Sequence, residues 1–90
     1  MKKITLTEFW NSKKTMAVHC NTKEKAKTLL KAFDKLGKKW VSGNRYLDIL
    51  EYEIYYQYTC YLNDNSYWDY ERCNDYGYTI YEFEEIDLDN

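Results

Sequence analysis

Asn21-Thr22-Lys23-Glu24-Lys25-Ala26-Lys27-Thr28-Leu29-Leu30-Lys31-Ala32-Phe33-Asp34-Lys35-Leu36-Gly37 is the stretch whose periodicity sets the architecture. Ala26, Leu29, Leu30, Phe33 and Leu36 recur at spacings of three and four, which lines them up along one side of a helix. Lys23, Lys25, Lys27, Lys31 and Lys35 mostly fall on the other sides. Asn21 stands three residues before Glu24, a capping-box spacing with Asn in place of Ser or Thr. Gly37 can take the left-handed conformation that closes a helix. The pattern predicts a helix over about 22–36, with an apolar stripe to bury and a basic back.

Outward from this helix the signals shorten. On the N-terminal side, Thr7 is suited to cap a turn through Glu8, Phe9, Trp10 and Asn11, with Phe9 and Trp10 pinning it down. Met16-Ala17-Val18-His19-Cys20 reads as a strand with Met16, Val18 and Cys20 on one face and Ala17 and His19 on the other. On the C-terminal side, Lys38-Lys39-Trp40-Val41-Ser42-Gly43 reads as a strand ended by Gly43-Asn44. Residues 45–57 admit either a loop with a turn of helix or an irregular strand. Tyr58-Thr59-Cys60-Tyr61-Leu62 is a strand by composition, and Asn63–Ser66 is a turn. Tyr67–Tyr70 is a short strand or loop, Asn74-Asp75 with Gly77 a second turn, and Tyr78–Phe83 the last strand. The acidic end, 84–90, is expected to fray. This order predicts a single α+β domain over 1–90, one main helix packed on a small, mostly antiparallel β-sheet. The helix covers one sheet face and leaves the other with the remaining aromatics.

The composition is divided as sharply as the pattern. Residues 1–45 carry twelve Lys/Arg against three acids, a net of +9, and residues 46–90 carry one Arg against twelve acids, a net of −11. All eleven tyrosines lie between Tyr46 and Tyr81. A ring buries about 150–250 Å², and a domain this small has room for only some of its rings, so several should be exposed or lie at an interface. A homo-oligomer is the simplest outlet for them. No apolar run approaches the roughly 20 residues of a membrane span, and no hydrophobic leader is visible, so a cytoplasmic protein is expected. Cys20, Cys60 and Cys73, odd in number and without a CxxC, read as free thiols. With His19 the only histidine, no metal site or cofactor is expected.

Five segments carry a wider resemblance: Glu8-Phe9-Trp10; Ala17-Val18-His19-Cys20 leading into Glu24-Lys25-Ala26; Gly37-Lys38-Lys39-Trp40-Val41-Ser42-Gly43; Thr59-Cys60-Tyr61; and Gly77-Tyr78-Thr79-Ile80-Tyr81-Glu82-Phe83. Through them the chain resembles small accessory proteins of phages and prophages of low-GC Gram-positive bacteria. The resemblance implies a setting in which small genes counter host defence, either by sequestering nucleotide immune signals or by binding and blocking a defence protein. It carries no site residues.

Catalysis is not indicated. His19 and Cys20 are neighbours in a strand and point to opposite faces, although His19 with Cys60 or Cys73 across the sheet stays open. The three glycines are scattered and form no phosphate loop. Long nucleic acid is disfavoured, because a polyanion crossing this domain would meet the acidic half. A small nucleotide asks for less. Trp40, Ser42 and Arg45 offer a ring, a hydroxyl and a guanidinium within six residues, and Tyr58, Tyr61 and Trp68 are expected on or beside the same sheet face. Trp40 is equally suited to core packing, and Arg45 to a surface ion pair with Asp48 or a tail acid. The leading expectation is therefore a non-catalytic anti-defence protein that sequesters a small nucleotide signal between subunits. The alternative uses the other half. Asp64, Asp69, Glu71 and Asp75 among Tyr67, Trp68 and Tyr70, with Glu82–Asp89, would imitate a nucleic-acid backbone and block a host nuclease or CRISPR effector. The remaining reading is a structural accessory protein whose acids balance its lysines.

Overall fold

The computed structural model describes residues 3–88. Its frame is a four-stranded sheet of β2 (Met16–His19), β3 (Thr59–Leu62), β4 (Tyr67–Asp69) and β5 (Thr79–Glu82) in the order β4-β3-β2-β5. The β4/β3 and β3/β2 pairings are antiparallel, with Val18 opposite Tyr61, and β2/β5 is parallel. A parallel pair β1 (Ile4–Thr5) and β6 (Ile86–Asp87) closes the ends of the chain on each other. The protein is thus α+β, with one main helix, α2 (Lys23–Lys35), on a small and mostly antiparallel sheet.

The helix forms as its pattern predicts except at its end, where Leu36, the last residue of the expected stripe, is the C-cap and stands exposed. Ala26, Leu29, Leu30 and Phe33 are buried against Val18, Cys20 and Tyr61 of the sheet. Its end is a Schellman cap: Gly37 sits at φ +78°, its N–H donates to the Asp34 carbonyl at 2.9 Å, and the Lys38 N–H donates to the Phe33 carbonyl at 3.1 Å. Its start is one residue later than the capping-box spacing implies. Thr22, not Asn21, is the N-cap, accepting from the Lys25 N–H at 3.2 Å, while Asn21 takes the Lys25 ammonium at 2.9 Å. A similar shift corrects α1 (Leu6–Asn11). Thr5 caps it, and Thr5 and Glu8 form the reciprocal box, so Thr7 lies inside the helix.

Three further expectations are corrected. Residues 38–43 are not a strand. A single bridge joins Lys39 to Arg45, and the chain turns tightly between them, with the Gly43 N–H donating to the Trp40 carbonyl at 2.8 Å. The second sheet face is not left open. A short helix, α3 (Tyr70–Asp75), lies on it and buries Cys73 with Ala17, Cys60 and Leu62. The acidic end is ordered up to its last described residues. Phe83–Glu85 form a 3-10 turn and Ile86 is buried in β6, because Phe83, Ile86 and Leu88 anchor an otherwise charged segment to the core. Asp89 and Asn90 lie outside the described residues.

The ambiguous stretch 45–57 ends in two 3-10 turns, Tyr52–Ile54 and Tyr56–Tyr58, and the second takes in Tyr58, so the strand expected from Tyr58 starts at Thr59 instead. Its backbone is held by side chains from elsewhere. The Trp40 indole N–H donates to the Ile49 carbonyl at 2.7 Å, the Tyr61 hydroxyl to Leu50 at 2.8 Å and the Thr59 hydroxyl to Tyr56 at 2.8 Å. A His19 ring nitrogen stands 2.7 Å from the Gln57 carbonyl. These bonds hold Glu51 and Tyr56 at φ 58° and 51°, values that non-glycine residues rarely adopt.

Candidate functional site: an acidic tyrosine cleft

The six residues singled out in the sequence do not converge. Trp40 is only 7 % exposed and packs its ring against Tyr46, Tyr61 and Tyr67. Tyr61 is fully buried beneath α2. Both are core residues, because the apolar stripe of α2 needs large rings opposite it. Arg45 is on the surface, where its guanidinium forks onto Asp34 with Nε–Oδ1 at 3.3 Å and Nη2–Oδ2 at 3.0 Å. The bond holds the Asp34 carboxyl below its ordinary range and raises the Arg45 guanidinium. Its partner is thus neither Asp48 nor a tail acid. Trp68 stands on the other sheet face, edge-on to Tyr76. Ser42 and the rim of Trp40 border a hollow of about 210 Å³ between the 40–44 and 63–66 turns, which Arg45 does not line. Tyr58 lies elsewhere again.

Tyr58 belongs to a larger hollow. Ile54, Tyr55, Tyr58, Asp69, Tyr70 and Glu71 line a cleft of about 430 Å³. The two 3-10 turns supply one wall, and the junction of β4 with α3 supplies the other. Ile54 is 53 % exposed and Tyr58 58 %, although both are large and at least partly apolar. Tyr70 is set edge-on against the His19 ring at 4.9 Å between centroids, and His19 is itself held by Glu82 at 2.8 Å. Asp69 caps α3 by accepting from the Arg72 N–H at 3.0 Å, and Glu71 stands in the first turn. No Lys or Arg lines the cleft. Among the described residues, no ion pair engages Asp69, Glu71 or Asp75.

The polarity of the chain is only partly neutralised by folding. Lys23 pairs with Glu53 at 3.1 Å and Lys25 with Glu84 at 2.6 Å, bringing the basic helix to the acidic half. The Lys25 bond holds the Glu84 carboxyl below its ordinary range. The acids around Tyr70 remain unmatched. A groove along α2, between Leu6, Leu36 and Leu88 and the stems of Lys31 and Lys35, is the corresponding feature of the basic side.

The thiols and the histidine are not arranged as a nucleophile and base. Cys60 is the register partner of His19 in the β2/β3 ladder. Both ring nitrogens, however, face oxygen acceptors, Glu82 and the Gln57 carbonyl. A neutral ring can donate to one of them, and a charged ring to both. Cys20, Cys60 and Cys73 are fully buried and free. Burial pushes the Cys20 thiol far up, and the neighbouring Cys73 with burial does the same to Cys60. The Cys60 contact lowers Cys73. Among the described residues, no group of three or more His, Cys, Asp or Glu could hold a metal ion, and no helix is long and apolar enough to cross a membrane.

Sequence reasoning named Asp69, Tyr70 and Glu71 as part of an acidic–aromatic cluster but missed Ile54 and Tyr55, whose 3-10 turns have no periodicity to read. The missing signal for α3 was present. Asp69 and Gly77 bracket the length of a two-turn helix, with Gly77 at φ +74°. No known protein family, curated protein or solved structure matches the chain.

Proposed function

We propose that this chain is a non-catalytic binding protein that works through its acidic tyrosine face, docking on a basic surface of another protein. In the setting implied by its resemblance to phage accessory proteins, the partner is a host defence nuclease or CRISPR effector, blocked where it would hold nucleic acid. The observation that carries this reading is the cleft itself. Ile54, Tyr58 and Tyr70 stand exposed beside Asp69 and Glu71, with no cation lining it. Tyrosine contributes contact area at low entropy cost, and unmatched carboxylates steer encounter with a cationic groove. Phosphate groups, by contrast, would be repelled from this cleft.

The test is DNA cleavage by purified nucleases and CRISPR effectors of low-GC Gram-positive hosts, with and without the protein. Inhibition of at least one is expected, weakening steeply as salt rises. Tyr58→Ala combined with Glu71→Lys should abolish it. Inhibition that ignored both salt and the double substitution would defeat the reading.

The second reading, sequestration of a small nucleotide by a cytoplasmic homo-oligomer, is supported by the hollow beside Ser42. That hollow offers the Trp40 rim with Ser42, Asn44 and Asn65. A thermal shift with cyclic or ADP-ribose-type nucleotides, lost in a Ser42 variant, is its test.

A further inference from the structure

The cleft has a shape and chemistry more specific than negative charge. Tyr55, Tyr58 and Tyr70 bring three ring systems to one hollow, and Asp69 and Glu71 bring two carboxylates. Ring faces carry negative charge density and attract a cation placed over them, more strongly as water is excluded. Only one Asp69 oxygen takes the helix-capping bond, and Glu71 enters no ion pair among the described residues. Lys23, Lys25 and Arg45 are paired with Glu53, Glu84 and Asp34, and no Lys or Arg lines the hollow. The walls are also held in place. Thr59 anchors the Tyr56 carbonyl beside Tyr58, and His19 backs Tyr70. A tyrosine hollow with unmatched acids is complementary to a flat, weakly hydrated cation that stacks and forks at once. That is the description of a guanidinium rather than an ammonium.

Resting on the reading of this face as a protein-contact surface, the geometry points to the cleft as the receptor for an arginine side chain presented by the partner's basic surface. The guanidinium stacks on Tyr58 or Tyr70 and meets Glu71 and the free oxygen of Asp69. Its apolar stem lies along Ile54. Such a contact makes the partner's arginine a central anchor of the complex.

Two capped peptides of equal length and charge, one with arginine and one with lysine as its only cation, are titrated into the isotope-labelled full chain. The arginine peptide should shift the amides of residues 54–58 and 69–71 and bind about tenfold more tightly than the lysine peptide. Tyr58→Phe should keep that preference, Tyr58→Ala should erase it, and Glu71→Gln should weaken both peptides. Tyr58 is exposed, so its substitution leaves the core intact. Equal binding of the two peptides, unchanged in Tyr58→Ala, overturns the arginine receptor and leaves a purely electrostatic contact face. Absence of binding by either peptide overturns it as well, and the contact-surface reading then rests on the nuclease assay alone.

Discussion

Two buried tyrosines show how one hydroxyl can hold a segment while another does nothing for stability. The Tyr61 hydroxyl donates to the Leu50 carbonyl at 2.8 Å and helps suspend the irregular chain before β3. The Tyr46 hydroxyl is buried without a hydrogen-bond partner. Burial and the nearby Asp64 carboxylate push it well above its ordinary range. The Asn65 side chain nearby acts to lower it, and its amide nitrogen donates to the Lys39 carbonyl. The same substitution should therefore act in opposite directions. Tyr61→Phe leaves the partly buried Leu50 carbonyl without this donor and should cost about 1 kcal/mol. Tyr46→Phe removes a desolvated hydroxyl and should be neutral, or stabilising by up to about 1 kcal/mol. Urea midpoints at unchanged slope measure both, and equal losses would show that Tyr46 does have a partner. None of this was visible in the sequence, where each of the two is simply one tyrosine among eleven. Arg45 was misjudged for a related reason. Its partner Asp34 lies eleven residues earlier, in the last turn of α2, and becomes a neighbour because the chain reverses after Gly37.

The elements that announced themselves are those whose signals are local. α2 was legible from its stripe and from Gly37, since both act within about four residues of the bonds they govern. Its cap was misplaced by one residue because Asn21 and Thr22 are both good caps, and only the backbone conformation chooses between them. Thr22→Ala should therefore cost about 1 kcal/mol, and Asn21→Ala no more than a few tenths. α3 was missed because six residues carry too little periodicity, although its Schellman closure at Gly77 is as complete as the one at Gly37. The Gly77 N–H donates to the Asn74 carbonyl at 3.1 Å and the Tyr78 N–H to Cys73 at 3.0 Å. A Cβ at Gly77 would meet no atom within 4 Å. Gly77→Ala should thus lose only the left-handed backbone preference, about 1 kcal/mol, and Gly77→Asn less. The stretch before β3 had little local signal to read, because Trp40, Tyr61 and His19, which hold it along with the adjacent Thr59, are nine or more residues away from the groups they bind. Ile54, Tyr55 and Tyr58 all lie in this stretch. The cleft was accordingly the part of the molecule least accessible to pattern reasoning.

At the scale of the whole molecule, the division of charge gives self-association and partner binding opposite responses to salt. The exposed rings were expected to drive a homo-oligomer, and Tyr58 at 58 % and Tyr76 at 69 % exposure are indeed uncovered. Tyr58 shares its cleft with Asp69 and Glu71, however, so two copies meeting through this face would bring like charges together. Such repulsion is long-ranged at low ionic strength and fades as salt shortens the Debye length. Self-association through the tyrosine face should therefore strengthen with added salt. A complex with a basic partner should weaken over the same salt range, because there the charges attract. Sedimentation velocity of the protein alone, near neutral pH and low salt, should return a single species close to the chain mass of 11.0 kDa. Raising the salt should move the average mass upward, and Tyr58→Ala should suppress that rise. An oligomer that forms at low salt and dissociates at high salt would mean instead that the lysine face of α2 meets the acidic face of a second copy. The acids around Tyr70 would then already have a partner, and the case for an external one would be lost.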